Sequence, residues 1–203
     1  MLLANSKGFE MSDIHFMYWE GNDFNSDNGC FDKKILVLGE SHHGKDLGQT
    51  MTQDIMYDHA YSNIPIKAYT TFERALVGHS TNKDERKIIW NSVAFYNYVQ
   101  SCVPTPRESP RKGQFDESEA AFFEVLKELK PDIILVWGRR LWEALPYTNF
   151  QASKDCEYKG FRYRCGTYMT DSGLIIPCYE MEHPSSGFSW SWWHKYLIHN
   201  GIL

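Results

Sequence analysis

LKPDIILVWGRRLWEAL, residues 129 to 145, decides how the rest of the chain is read. Pro131 cannot continue a helix, because it lacks an N–H and its ring clashes with the preceding turn. Asp132 to Gly138 is then an apolar, β-branched run stopped by glycine, the pattern of a strand buried on both faces. Arg139 to Leu145 starts a helix directly after Gly138. Upstream, DESEAAFFEVLKELK (Asp116 to Lys130) has the marks of a helix. Asp116 or Ser118 caps it, acids crowd its first turn and lysines sit at its end. Helix, buried strand and helix in succession form the repeating unit of an α/β fold with parallel strands.

The same alternation extends in both directions. KKILVLG (Lys33 to Gly39) is an earlier buried strand, and FERALVGH (residues 72 to 79) is a short helix ending near Gly78. KIIWNSVAFYNYV (Lys87 to Val99) predicts a second strand at about Ile88 to Phe95. VPTPRESPRKGQF (residues 103 to 115) has three prolines and three basic residues and predicts a loop. Residues 150 to 173 predict a hairpin or loop. LIIPCY (Leu174 to Tyr179) is the last core strand, and SWWHKYLIHNGIL closes the chain as a helix. The fold class is therefore α/β with a mainly parallel sheet, in one domain over residues 1 to 203. Residues 1 to 30 read as an extension packed on it, since HFMYWEG is too aromatic for a free tail.

Composition bounds the function. Hydrophobic residues make up 42% and aromatics 15% of the 203 residues, which suits a packed core. No apolar run approaches the roughly 18 residues that a membrane span needs. The N-terminus lacks a signal peptide's basic start and apolar stretch, so a cytoplasmic location is expected. The net charge of −5 disfavours wholesale binding to nucleic acid but leaves room for a local basic patch. The five cysteines are scattered with no CxxC, so no metal and no cofactor are expected.

Ligands of open α/β sheets collect beyond the carboxyl ends of the strands. Four stretches are expected there: GESHHG (39 to 44), WNSVAF (90 to 95), GRR (138 to 140) and EHPSSG (182 to 187). Gly39 and Gly44 permit sharp turning and close backbone approach to a ligand. Glu40 could act as a base, Ser41 as a nucleophile or water holder, and His42 and His43 as acids or metal ligands, although no third ligand is specified for a metal. A tight turn with solvated side chains is the simpler alternative. Asn91 offers a donor and an acceptor together, suited to a pyrimidine edge, or else satisfies a local backbone group. Asn97 is a weaker second candidate. Arg107, Arg111 and Lys112 could grip phosphates or form a solvated loop. Trp190, Trp192, Trp193 and Tyr196 read as the buried face of the last helix.

The ordered set ILVLGES, WNSVAF, LKPDIILVWGRRLWEAL and HPSSG resembles the uracil-DNA glycosylase superfamily over roughly residues 33 to 197. The resemblance implies a three-layer α/β/α fold with a central, mainly parallel four-stranded sheet. It implies hydrolysis of the N-glycosidic bond of uracil or a related damaged base, with DNA carrying that base as partner. His183 would then face the flipped base, Ser185 and Ser186 would press the DNA backbone, and Phe188 would wedge into the gap. Gly39, His42, His43, Asn91 and Tyr57 (or Tyr61) would line the base site, Arg111 and Lys112 would meet DNA, and Glu40 or Ser41 would position water. The chain departs from the family pattern in having Ser41, where several branches place Asp or Asn, and His42 and His43 at the usual proline and tyrosine positions. A catalytically silent nucleotide- or DNA-binding member of the same fold is the first alternative.

VLGES also resembles the G-D-S motif of GDSL-type esterases, and Glu180 to Pro184 their D-x-x-H-P ending. That resemblance implies Ser41 as nucleophile, His183 as its base and Glu180 as orienter.

Overall fold

The computed structural model describes residues 12 to 203. In chain order the strands are β1 (Trp19–Glu20), β2 (Ile35–Gly39), β3 (Val93–Asn97), β4 (Ile133–Trp137), β5 (Phe150–Ala152), β6 (Cys156–Tyr158), β7 (Phe161–Tyr163), β8 (Cys165–Met169) and β9 (Ile175–Met181). The helices are α1 (Met51–Tyr61), α2 (Lys67–Val77), α3 (Lys83–Asn91), α4 (Lys112–Asp116), α5 (Glu119–Leu129), α6 (Arg139–Ala144) and α7 (Trp190–His199).

The main sheet runs β1-β3-β2-β4-β9-β8-β5, and β6 and β7 form a separate two-stranded hairpin. Its middle, β3-β2-β4-β9, is parallel, while β1, β8 and β5 add antiparallel edges. The expected four-stranded sheet is thus the parallel centre of a seven-stranded mixed one. The extra strands come from the N-terminal extension and from residues 150 to 173.

Register levels the parallel strands. Gly39 lies beside Asn97, Leu38 beside Val136, and Trp137 beside Met181, so the four carboxyl ends share one edge. Alternation of side chains gives each face its own apolar cluster. Leu36, Leu38, Ile134 and Val136 pack against Phe122, Val125, Leu126 and Leu129 of α5. Ile35, Val37, Ile133 and Leu135 pack against Met56, Phe72, Trp90 and Trp193 of α1, α2, α3 and α7. Both faces of the central strands are buried, which is why they read as continuous apolar runs.

The second strand needs correction. Ile88 to Asn91 belong to α3, and the strand begins only at Val93. Asn82 and Glu85 form a capping box, with Asn82 Oδ1 accepting from Glu85 N–H at 3.0 Å and Glu85 Oε2 accepting from Asn82 N–H at 2.9 Å. That cap starts a helix which carries Ile88, Ile89 and Trp90 around its turns. Helix α1 lies in a stretch for which the sequence predicts no element. Of the extension, Ile14, Phe16 and Phe24 are buried in the domain, and residues 1 to 11 lie outside the described residues. No described helix is long and apolar enough to cross a membrane.

Candidate functional site

The chain leaving β2 is stapled to the chain leaving β3. Tyr98 and Val99 donate to Gly39 and Glu40 carbonyls at 2.9 Å, Val103 donates to His42, and Gly44 donates back to Val103. Gly39 is required here: a Cβ would press on Asn97 Oδ1 and would lie 2.8 Å from Cζ of Phe95. Asn97 therefore lies directly across Gly39. Its Nδ2 is 3.2 Å from Nε2 and 3.3 Å from Nδ1 of His42.

His42 points inward. Its Nε2 meets Thr52 Oγ1 at 2.8 Å, and the edge of Phe16 lies against its ring at 4.8 Å. Burial, reinforced by His43 and opposed by Asp46, pushes its pKa down to about 4. A buried neutral ring joining β2, α1 and Asn97 holds the loop rather than offering an acid to solvent. His43 and Gly44 are exposed, whereas Ser41 is half-buried. Among the described residues, the backbone N–H groups of Glu40, Ser41 and His42 have no acceptor.

Glu40 and Arg140 join two of the expected stretches. Arg140, in the first turn of α6, donates from Nε to Glu40 Oε2 at 2.6 Å and from its terminal nitrogen to Oε1, a bidentate pair. The same guanidinium also donates to Ser109 Oγ, which draws in the loop after β3. Sequence reasoning marked GRR as a stretch without singling out Arg140.

His183 follows β9 by two residues and sits beside Trp137 with ring centroids 5.9 Å apart. Gly138, at φ 97°, brings the chain so close that its Cβ would lie 3.5 Å from Cβ of His183. Nδ1 of His183 accepts from Ser185 N–H at 3.2 Å and from Ser185 Oγ–H at 2.7 Å. A backbone N–H can only donate, so the neutral ring carries its proton on Nε2. Burial lowers the His183 pKa; Glu40 acts to raise it, while Arg140 and His43 lower it further. At neutral pH this histidine is therefore an uncharged Nε2–H donor at the carboxyl edge.

Other expected site residues lie elsewhere. Asn91 ends α3 just before β3 begins, so it sits at the amino edge, one strand length or roughly 13 Å from Gly39 and Asn97. Its Oδ1 accepts from Tyr61 Oη–H at 2.9 Å. Tyr57 stacks on Tyr61 at 4.7 Å. α1 runs from Thr52, against His42 at the carboxyl edge, to Tyr61, against Asn91 at the other. The expectation that Asn91 and Tyr57 share a pocket with His183 is thereby corrected, and Asn97 holds the carboxyl-edge position. The signal for this was the Asn82…Glu85 cap, which moves the strand start past Asn91.

Phe188 lies flat on Trp193 at 5.4 Å and 11°, and belongs to the packing of α7 rather than to a projecting wedge. Ser185 and Ser186 are exposed, and Pro184 is buried. Arg111 and Lys112 are exposed at the start of α4, where Lys112 Nζ pairs with Asp116 at 2.6 Å.

The hydrolytic triad does not assemble. Glu180 is held by Arg164 through two contacts of 2.7 Å. It shares a strand face with Ile176 and Cys178, opposite to the face of Met181 and His183. The nitrogen of His183 that an orienter would grip is taken by Ser185.

Two cavities of about 500 and 290 Å³ lie away from this edge, one beside Asp23, Lys34 and Ser92 and one beside Trp142, Phe150 and Tyr168. Neither includes Gly39, Asn97 or His183. Among the described residues no three His, Cys, Asp or Glu side chains converge as a metal-binding set. Comparison of the sequence with models of known protein families gives no match, and comparison with curated proteins gives none.

Proposed function

We propose that this chain is a uracil-DNA glycosylase-like protein with a three-layer α/β/α fold, hydrolysing the N-glycosidic bond of uracil or a related damaged base in DNA. The observation that carries this reading is His183: a neutral ring, oriented by Ser185 and offering Nε2–H on the carboxyl edge that the parallel strands share, where Gly39 and Asn97 end β2 and β3. Loss of a pyrimidine from its sugar builds negative charge on the base oxygen. A fixed donor at that oxygen is typically worth about 3 kcal/mol, or roughly a hundredfold in rate. The base must first be flipped out of the stack. In this reading Asn97, with its amide N–H turned to His42, keeps Oδ1 as acceptor for the pyrimidine N3–H. The N–H groups of Glu40 and Ser41, which have no acceptor among the described residues, receive a base carbonyl. Glu40 or Ser41 positions the attacking water, and exposed Ser185 and Ser186 meet the backbone.

A second reading has an observation of its own. Arg140 occupies both oxygens of Glu40, which leaves water activation without a free carboxylate. That arrangement favours a member of the same fold that binds nucleic acid without cutting the glycosidic bond. The deciding experiment incubates the protein with single- and double-stranded oligonucleotides containing uracil, followed by alkaline cleavage, with fluorescence anisotropy measured in parallel. Excision by wild type that falls about a hundredfold in His183→Ala at saturating substrate supports the first reading. Binding without excision under every condition supports the second. Neither binding nor excision removes both.

A further inference from the structure

Two of the five free cysteines touch each other, and neither has a role in the site described above. Sγ of Cys156 lies 3.4 Å from Sγ of Cys165, and Cys165 in turn donates to the Lys154 carbonyl at 3.0 Å. Cys156 opens β6 and is half-buried, whereas Cys165 opens β8 and is buried. Between them runs the β6–β7 hairpin. Its Tyr158 and Tyr163 rest on Trp192 at 5.6 and 5.9 Å, and Tyr163 Oη–H donates to Glu182 at 3.0 Å. Glu182 directly precedes His183, so the hairpin is connected to the loop that carries this histidine.

We propose that Cys156 and Cys165 are an oxidative modification site: a dithiol that a small-molecule disulfide converts to an intrachain bond, stapling the β6–β7 hairpin to β8. The thiols are already in contact, and closing to the roughly 2.05 Å of a disulfide is within reach of side-chain rotation at half-buried Cys156. The Cys156 thiolate attacks one sulfur of the small disulfide, whose S–S bond breaks and releases one thiolate. The Cys165 thiol then gives its proton to solvent and attacks Sγ of Cys156, and the second small thiol leaves. Two protein thiols are oxidised by two electrons, and one small disulfide is reduced to two thiols. Burial, with Cys156 adding to it, holds the Cys165 pKa up at about 12, so its thiolate is scarce and the second step slow. The remaining cysteines, Cys30, Cys102 and Cys178, make no thiol–thiol contact among the described residues.

The test uses the whole chain incubated for several hours with oxidised glutathione, alkylated, digested and examined by mass spectrometry. The expected product is a Cys156–Cys165 link two hydrogens lighter than the dithiol, with alkylatable thiols falling from five to three. Thermal unfolding should rise by roughly 5 °C, and dithiothreitol should reverse it. Amide exchange across residues 156 to 163 should slow. Cys156→Ser, at a half-buried position, should keep all its remaining thiols alkylatable. The proposal is overturned if wild type retains five alkylatable thiols, stops at glutathione on Cys156, or links Cys30 or Cys102 instead.

Discussion

Lowering the pH should weaken this fold through one identifiable side chain, His42. It is buried against Phe16 and Thr52, and its pKa is down at about 4 because burial disfavours the imidazolium. In the unfolded chain the same ring titrates near about 6.5. Between those two values the unfolded state binds a proton that the folded state refuses. The contribution of neutral His42 is thus fully present above about pH 6.5 and is lost as the pH falls toward about 4. Integrating the proton uptake between pH 7.5 and pH 5 gives about 2 kcal/mol, with a ceiling of about 3 kcal/mol at lower pH. The assay is urea unfolding of wild type and His42→Gln at both pH values. Groups common to the two proteins cancel in the difference between their pH-dependent losses. Wild type should lose about 2 kcal/mol more than the variant on going to pH 5. Equal losses would refute the placement of His42 as a buried neutral ring.

Two further substitutions probe the interior. Glu73 is fully buried and accepts from Trp90 Nε1 at 2.9 Å, from His59 at 3.3 Å and from Thr81, with Arg86 at 3.5 Å. Glu73→Ala leaves Arg86 buried without its counter-charge, and urea unfolding should show a loss of about 3–5 kcal/mol; a loss below 1 kcal/mol contradicts a network joining α1, α2 and α3. Gly39→Ala forces a methyl onto Phe95 and Asn97, and should cost about 1–3 kcal/mol by the same assay. A neutral result there means that Asn97 can swing away and is not held across Gly39.

The parallel core was legible because burial on both faces leaves nothing but apolar residues, as in Ile35–Gly39 and Ile133–Trp137. The same property misled the reading at Ile88 to Trp90. Three apolar residues in a row fit a buried strand as well as a helix, and only the Asn82…Glu85 cap separates the two. One misplaced boundary moved the candidate carboxamide from one sheet edge to the other, since Asn91 and Asn97 bracket a single strand. The Gly39–Gly44 and His183–Gly187 stretches were placed by simple adjacency to strand ends, which survives errors of a residue or two. Side-chain direction was not legible. Nothing local in GESHHG says that His42 turns inward while His43 is exposed. The Phe188–Trp193 stack and the Glu180–Arg164 pair likewise depend on elements far apart in sequence.

Arg140 is where the two functional readings separate, and it can be tested without assuming either. Its guanidinium is more than half exposed, so Arg140→Gln should change stability by less than about 1 kcal/mol. Its charge nevertheless acts on His183. Arg140 lowers the His183 pKa, and Glu40 raises it. Removing the cation leaves Glu40 as an uncompensated anion at the carboxyl edge, and both changes favour the imidazolium. The His183 midpoint, followed by NMR of the ring protons, should therefore lie below about 6.5 in wild type and move upward in Arg140→Gln. A midpoint that stays fixed means the pair does not act on His183, and that histidine is then kept neutral by burial alone. The same variant frees both oxygens of Glu40. If excision appears or rises in Arg140→Gln, the carboxylate was limited by its partner, and the binding role of wild type is the pairing's consequence. If excision present in wild type falls, Arg140 is holding Glu40 where the water must be met.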